Sequence, residues 1–207
     1  MIVIVDYGMG NLLNVAKAFE FIGESVRVTQ DKNVLAKADR LVVPGVGAFG
    51  DAVEEMHKHG LFETILDFIG TGRPCLGICL GLQLFLEQSL EAPGTKGLGV
   101  IAGKNILFEG PLFKGHDRLK VPHMGWNKVH IKKKECPLFK KNQQDNFFYF
   151  VHSYYAAVAN DDHVAGETEY GVKFASILWK DNLFATQFHP EKSQKAGLDL
   201  LKGFAKL

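Results

Sequence analysis

The chain has 207 residues, with 24 Lys and Arg against 23 Asp and Glu, for a formal net charge of +1. Hydrophobic residues make up 46% and charged residues 23%, which is globular usage and excludes a disordered or collagen-like chain. So even a charge balance gives no electrostatic ground for a nucleic acid or an anionic membrane as partner, and three cysteines are too few for a disulfide framework, which points to a reducing, cytoplasmic setting. The opening segment MIVIVDYGMG lacks the basic stretch and the apolar length of a signal peptide, and no apolar run approaches the ~20 residues of a membrane-spanning helix.

Ile2 to Val5 is an apolar β-branched run that ends at Asp6 and Tyr7-Gly8-Met9-Gly10, the pattern of a strand buried on both faces. Asn11 then stands where a helix N-cap belongs, followed at helical spacing by Leu12, Val15, Ala16, Phe19 and Ile22, with Gly23 as the stop. Val26 and Val28 alternate as a short strand, and Arg40 to Val43 is another, cut off by Pro44-Gly45. Phe49 to His59 and Leu61 to Ile69 are predicted helices, Pro74 to Ile78 a buried strand, and Leu80 to Gln88 the helix after it. Strands alternating with helices over short connections imply right-handed crossovers and a parallel sheet covered on both faces.

Beyond Gly97 the character changes. Residues 97–131 are rich in Gly and Pro with few helical periods, while Phe147 to His152, Val164 to Tyr170, Phe174 to Trp179 and Leu183 to Phe188 pattern as successive strands. Lys195 to Leu207 closes the chain as a helix with Leu198, Leu201, Phe204 and Ala205 on one face. With no repeat, low-complexity tract or linker, the expectation is a single domain over 1–207: a three-layer α/β fold with a mostly parallel central sheet and a smaller antiparallel extension.

Gly77-Ile78-Cys79-Leu80-Gly81 follows a buried strand and precedes a helix, which is the nucleophile-elbow pattern with Cys in place of Ser. In such a turn Cys79 is strained and projects its sulfur into a cleft, the helix start favours a thiolate, and the Leu80 N–H can face a developing oxyanion. A buried, inert cysteine between two packing glycines explains this segment alone equally well. His189-Pro190-Glu191, after the last strand, offers the base that a Cys nucleophile needs and a carboxylate to orient it. The order nucleophile, His, acid departs from that of α/β-hydrolases, where the acid precedes the His. Pro44-Gly45-Val46-Gly47 lies at a strand's C-terminal end, where ligands of open α/β sheets bind, and its glycines permit a peptide flip that presents a second oxyanion donor.

PGVG, GICLGLQ and QFHPE, in this order, resemble the class I (triad) glutamine amidotransferases, whose fold is of the flavodoxin-like kind. Within them, DYGMGN at 6–11, PGVGAFG at 44–50, PHMGWN at 122–127, FVHSYY at 150–155 and QFHPEKS at 187–193 are similar to the glutaminase subunits that serve histidine biosynthesis, over the whole chain. The resemblance implies Cys79 as nucleophile, His189 as acid/base and Glu191 as its orienting partner. It implies an oxyanion hole from Leu80 and Val46, L-glutamine held by Gly47, Gln83, Ser153 and Tyr154, and no cofactor. It also implies a heterodimer with a (β/α)8-barrel cyclase that receives the ammonia, with Pro122, His123, Met124 and Trp126 at the interface and Asn11 and Asn14 facing the same partner. An N-cap and a solvated helix position explain the two asparagines equally well. A paralogue feeding a sugar-modifying synthase of surface polysaccharide assembly carries the same chemistry and is the alternative. No metal site is expected: Cys75 and Cys79 lack zinc-finger spacing, and His57 and His59 cannot share a helix face. Lys132 to Lys134 reads as a solvated turn, and Cys136 beside Pro137 as a loop thiol.

Overall fold

The first strand, β1 (Ile2–Val5), is buried at every position. Its odd residues Val3 and Val5 join one hydrophobic cluster and its even residues Ile2 and Ile4 another, as period-2 alternation requires of a strand covered on both faces. In the computed structural model, which describes residues 1–139 and 145–207, β3 (Arg40–Gly45) divides in the same way, with Leu41 and Val43 on one side and Val42 on the other. Helices α2 (Lys32–Ala36), α3 (Phe49–Lys58) and α4 (Leu61–Gly70) cover the first face through Leu35, Met56 and Phe68. Helices α1 (Leu12–Phe21) and α6 (Gln194–Phe204) cover the second, where the Phe19 and Phe204 rings meet at 6.3 Å. Each such buried Phe contributes about 1.5–3 kcal/mol relative to an exposed one.

Strands β2 (Val26–Thr29), β1, β3, β4 (Cys75–Cys79) and β12 (Leu183–Thr186) form, in that spatial order, a parallel sheet. From β12 the sheet continues antiparallel through β11 (Val172–Lys180), β10 (Val164–Tyr170), β7 (His123–Ile131) and β8 (Asn146–His152). A branch of β5 (Leu86–Ser89), β6 (Ile101–Leu107) and β9 (Tyr154–Val158) joins at β11. The parallel core with helices on both faces is the expected α/β class. No helix among the described residues is long and apolar enough to cross a membrane.

Local signals held where they were strongest. The Asn11 side chain accepts a hydrogen bond from the Asn14 N–H at 3.4 Å, and Gly23 ends the first helix with φ +90°. Two expectations change. Strand β3 runs through Pro44 and Gly45, which pair with Ile78 and Cys79 of β4. Pairing of β3 with β1 has already stopped at Val42, and the Tyr7 hydroxyl takes the Pro44 carbonyl at 2.7 Å, so the missing proline N–H leaves no gap in that ladder. The helix after Cys79 ends at Leu84, where the chain straightens into β5 and pairs with β6, so residues 86–88 are strand. A short run buried on all sides carries no period that separates helix from strand, and tertiary pairing decided it. Cys136 lies in the loop between β7 and β8, as expected, with its side chain buried in the second cluster, and burial pushes its thiol up to about 12.

Candidate active site

Strands β3, β4 and β12 lie side by side and parallel, and their C-terminal ends deliver Gly45, Cys79 and the segment after Thr186 to one edge of the sheet. The turn at Cys79 is sterically dictated. Cys79 has φ +56° and ψ −104°, a conformation an L-residue adopts only where its surroundings enforce it. A Cβ on Gly77 would stand 2.7 Å from the Gly81 carbonyl oxygen, and a Cβ on Gly81 would stand 1.9 Å from that of Val43. Both glycines of the GICLG segment are therefore required by backbone packing on backbone. The helix that follows, α5 (Leu80–Leu84), has five residues, so what it presents to the sulfur is its first free N–H groups more than a macrodipole.

The same edge holds the acid/base candidate. His189 and Glu191 are both buried, and the imidazole Nδ1–H donates to Glu191 Oε1 at 2.8 Å. That bond leaves Nε2 without a hydrogen-bond partner, on a ring that lines the same cavity as Cys79. Burial alone would push His189 down. The Cys79 sulfur close by, then the bond to Glu191 and its charge, outweigh burial and hold the imidazole above the usual histidine range. Ser193, an unanticipated contributor, fixes the backbone here: its hydroxyl donates to the His189 carbonyl at 2.6 Å and accepts from the Tyr149 N–H at 3.0 Å.

The cavity has a volume of about 300 Å³. Val46 and Gly47 line it on the β3 side, Leu80 and Gln83 on the elbow side, and Ser153 and Tyr154 opposite, so the residues expected around a substrate are brought together. Gln83 is buried, and its amide donates to the Tyr154 carbonyl at 2.9 Å and to Gln187 Oε1 at 3.4 Å. Gln187 in turn directs its amide at the Cys79 sulfur at 3.9 Å. Gln187, Glu91 and His152 were not singled out from sequence. Gln187 lies inside the QFHPE segment and His152 inside FVHSYY, so position within a motif was the available signal. Glu91 lines the cavity and accepts the Phe49 N–H at 2.8 Å, a contact across the chain that no local pattern announces.

The segment expected at an interface divides. Met124 and Trp126 are 62% and 48% exposed on β7, and Asn14 is exposed, with Asn11 half-buried as its cap partner. Pro122 is exposed and also lines the cavity. His123 departs from the expectation. It is 3% exposed, stacked between the Phe150 and Tyr170 rings at 4.8 and 4.1 Å, and a ring so enclosed cannot face a partner. Alternation along β7 explains the split, because Met124 and Trp126 share one face and His123 takes the other.

Among the described residues, no group of three or more His, Cys, Asp or Glu is placed to share a metal ion. His57 and His59 instead approach Glu63 and Glu55, at 3.8 and 3.3 Å. Cys75 is fully buried, and burial holds its thiol far above the usual range.

Residues 3–206 match the family model of the class-I glutamine amidotransferases. The chain is 49% identical over 204 residues to imidazole glycerol phosphate synthase subunit HisH of Syntrophotalea carbinolica, covering 99% of this chain and 98% of that protein. It is 47% identical over 206 residues to the HisH subunit of Geobacter sulfurreducens, covering 100% and 98%. The HisH subunit of Methanothermobacter thermautotrophicus is 49% identical over 207 residues, again covering 100% and 98%. Among solved structures, a glutamine amidotransferase superposes with a TM-score of 0.74 at 15% identity, covering 99% of this chain and 97% of that one. PurLQS from Thermotoga maritima also gives 0.74, at 17% identity with the same coverage. At such identities the likeness is one of fold.

Proposed function

The chain belongs to the class-I glutamine amidotransferases and, within them, to the HisH subunits of imidazole glycerol phosphate synthase, and from that premise we propose that it hydrolyses L-glutamine through Cys79, His189 and Glu191 and hands the ammonia to a cyclase subunit in histidine biosynthesis. The observation that carries the site assignment is the His189 imidazole, bound at Nδ1 by Glu191 with Nε2 unpartnered, beside a cysteine held at φ +56° in the same cavity.

The steps follow from those positions. The Cys79 thiolate attacks the side-chain amide carbon of glutamine, and the carbonyl electrons move onto oxygen. The Leu80 N–H, with the Val46 N–H as the second donor, stabilises that oxyanion. His189 delivers its Nε2 proton to the departing nitrogen, which leaves as ammonia, and a glutamyl thioester remains on Cys79. His189, now neutral, takes a proton from water as the water attacks the thioester. Collapse of the second tetrahedral adduct expels the thiolate and releases glutamate. Glu191 keeps the ring in the Nδ1–H tautomer throughout and stabilises the imidazolium. Gly47, Gln83, Ser153 and Tyr154 hold the substrate's remaining atoms.

Glutamine is thus the nitrogen donor only, and the acceptor belongs to the partner, a (β/α)8-barrel cyclase in a heterodimer. Met124 and Trp126, exposed on β7, and Asn14 at the start of α1 form the contact surface of this reading, with Pro122 between surface and cavity. The names of the relatives support the histidine-pathway subunit over the polysaccharide paralogue. The test is glutamate release by this chain alone, with the cyclase barrel, and with the barrel plus its nucleotide substrate. Weak activity alone and strong stimulation by barrel and nucleotide is the expected result. High activity indifferent to the barrel would overturn the partner assignment.

A further inference from the structure

Two histidines that the mechanism does not use lie directly opposite one another on β7 and β8, His123 paired with His152. Their rings are joined by a hydrogen bond of 3.0 Å between His123 Nδ1 and His152 Nε2. The tautomers follow from the outer partners. His152 Nδ1 lies 2.9 Å from the Tyr154 carbonyl, which only accepts, so Nδ1 carries the proton and Nε2 is the acceptor. His123 must then donate from Nδ1, and its Nε2 accepts from the Asn127 amide at 3.2 Å. That amide also donates to the Glu169 carbonyl at 3.0 Å, while Asn127 Oδ1 accepts the Lys128 N–H at 2.7 Å. Every donor meets an acceptor only if both rings are neutral.

The enclosure enforces that state. Phe108, Phe150 and Phe174 pack on the pair, and the titratable groups facing it are Tyr170, against the His123 ring, and His189, whose charge acts on His152. Burial pushes His123 down to about 4 and, with the neighbouring imidazoles adding to it, His152 to about 3. His152 lines the cavity and staples the corner where β8 ends and β9 begins, from which Ser153 and Tyr154 face the same cavity. The Tyr154 carbonyl receives both the His152 ring and the Gln83 amide.

We propose that His123 and His152 are positioning residues for glutamine: the pair fixes the corner at residues 152–154 and, through the shared Tyr154 carbonyl, the Gln83 amide. The inference rests on the glutaminase reading above and assigns these rings no contact with the reacting atoms. An enzyme whose corner is loosened binds glutamine less well while its nucleophile and base stay in register, so the expected signature is in KM and not in kcat.

The test uses the complex with the cyclase barrel. His152→Leu raises KM for glutamine about tenfold with kcat within about threefold, whereas His152→Asn, whose amide replaces the Nδ1–H donor, keeps KM within about threefold. His123→Phe retains the stacking on Phe150 and Tyr170, removes the donor to His152 and the acceptor of the Asn127 amide (which keeps the Glu169 carbonyl), and gives a rise between the two; it also stands in should His152→Leu fail to fold. Nitrogen-15 spectra at pH 7 show both rings neutral and protonated at Nδ1, the less common tautomer of a free imidazole. A charged ring or an Nε2–H tautomer at either position overturns the proposal. So does an unchanged KM in folded His123→Phe, or an equal loss in His152→Asn and His152→Leu. An unmodified complex that releases no glutamate defeats the glutaminase reading and this inference with it. An active complex with unmoved KM in the variants defeats this inference alone.

Discussion

On the elbow side of the pocket, backbone packs on backbone, Gly77 against Gly81 and Gly81 against the Val43 carbonyl, and Gly45 packs on the side chains of Tyr7 and Leu80. On the opposite side, strands β7, β8 and β9 are joined by side-chain hydrogen bonds running from Asn127 through two imidazoles to the Tyr154 carbonyl. The first construction has no slack, because a carbonyl oxygen cannot retreat from a new methyl group without moving its strand. The second can lose one member and relax. In the proposed reaction the strained nucleophile is thus set in the rigid wall, and Ser153 and Tyr154, two of the four residues proposed to hold glutamine, are set in the adjustable one.

Substitutions separate the two walls. The largest effect is expected at Gly81→Ala, whose Cβ would stand 1.9 Å from the Val43 carbonyl oxygen. It should destabilise the fold by about 3 kcal/mol or more in urea unfolding, and a loss below 1 kcal/mol would show that the elbow has slack after all. Next is Glu191→Gln, which removes the carboxylate from His189 Nδ1. The expected loss in kcat is on the order of 10²-fold. The His189 pKa should fall, since a cause that raises it is gone while burial still lowers it, and an NMR titration of the imidazole checks the sign. The smallest is Tyr7→Phe, which deletes only the 2.7 Å hydrogen bond to the Pro44 carbonyl. About 1 kcal/mol of stability should go, read from the denaturation midpoint.

The same division explains what was legible in the residues. The elbow side is local: Ile2 to Val5, the glycines about Cys79 and HPE are each readable within a few positions, because backbone geometry is written in nearby Gly and β-branched residues. The opposite wall is built from residues far apart in sequence. Strands β6 and β7 each carry a glycine within the run, Gly103 (φ +139°) and Gly125 (φ +129°), and β9 (YYAAV) has no polar residue to mark an alternation, so none of the three shows a period of two. The resemblance carries PHMGWN to an interface as one unit, whereas a strand sends adjacent residues to opposite faces and turns His123 inward. Gln187 and Glu91 show the limit most plainly, since each acquires its place from a strand or helix that the sequence around it does not mention.

In the proposed reaction Cys79 is a nucleophile prepared by His189 inside the pocket that takes glutamine. Labelling with an electrophilic glutamine analogue, followed by mass spectrometry of the digested chain from the cyclase complex, tests it most directly. The expected result is one equivalent on the Cys79 peptide, competition by glutamine, slower labelling in His189→Ala, and none in folded Cys79→Ala. Modification of Cys75 or Cys136 in its place, or a folded complex that takes up no label, would contradict it.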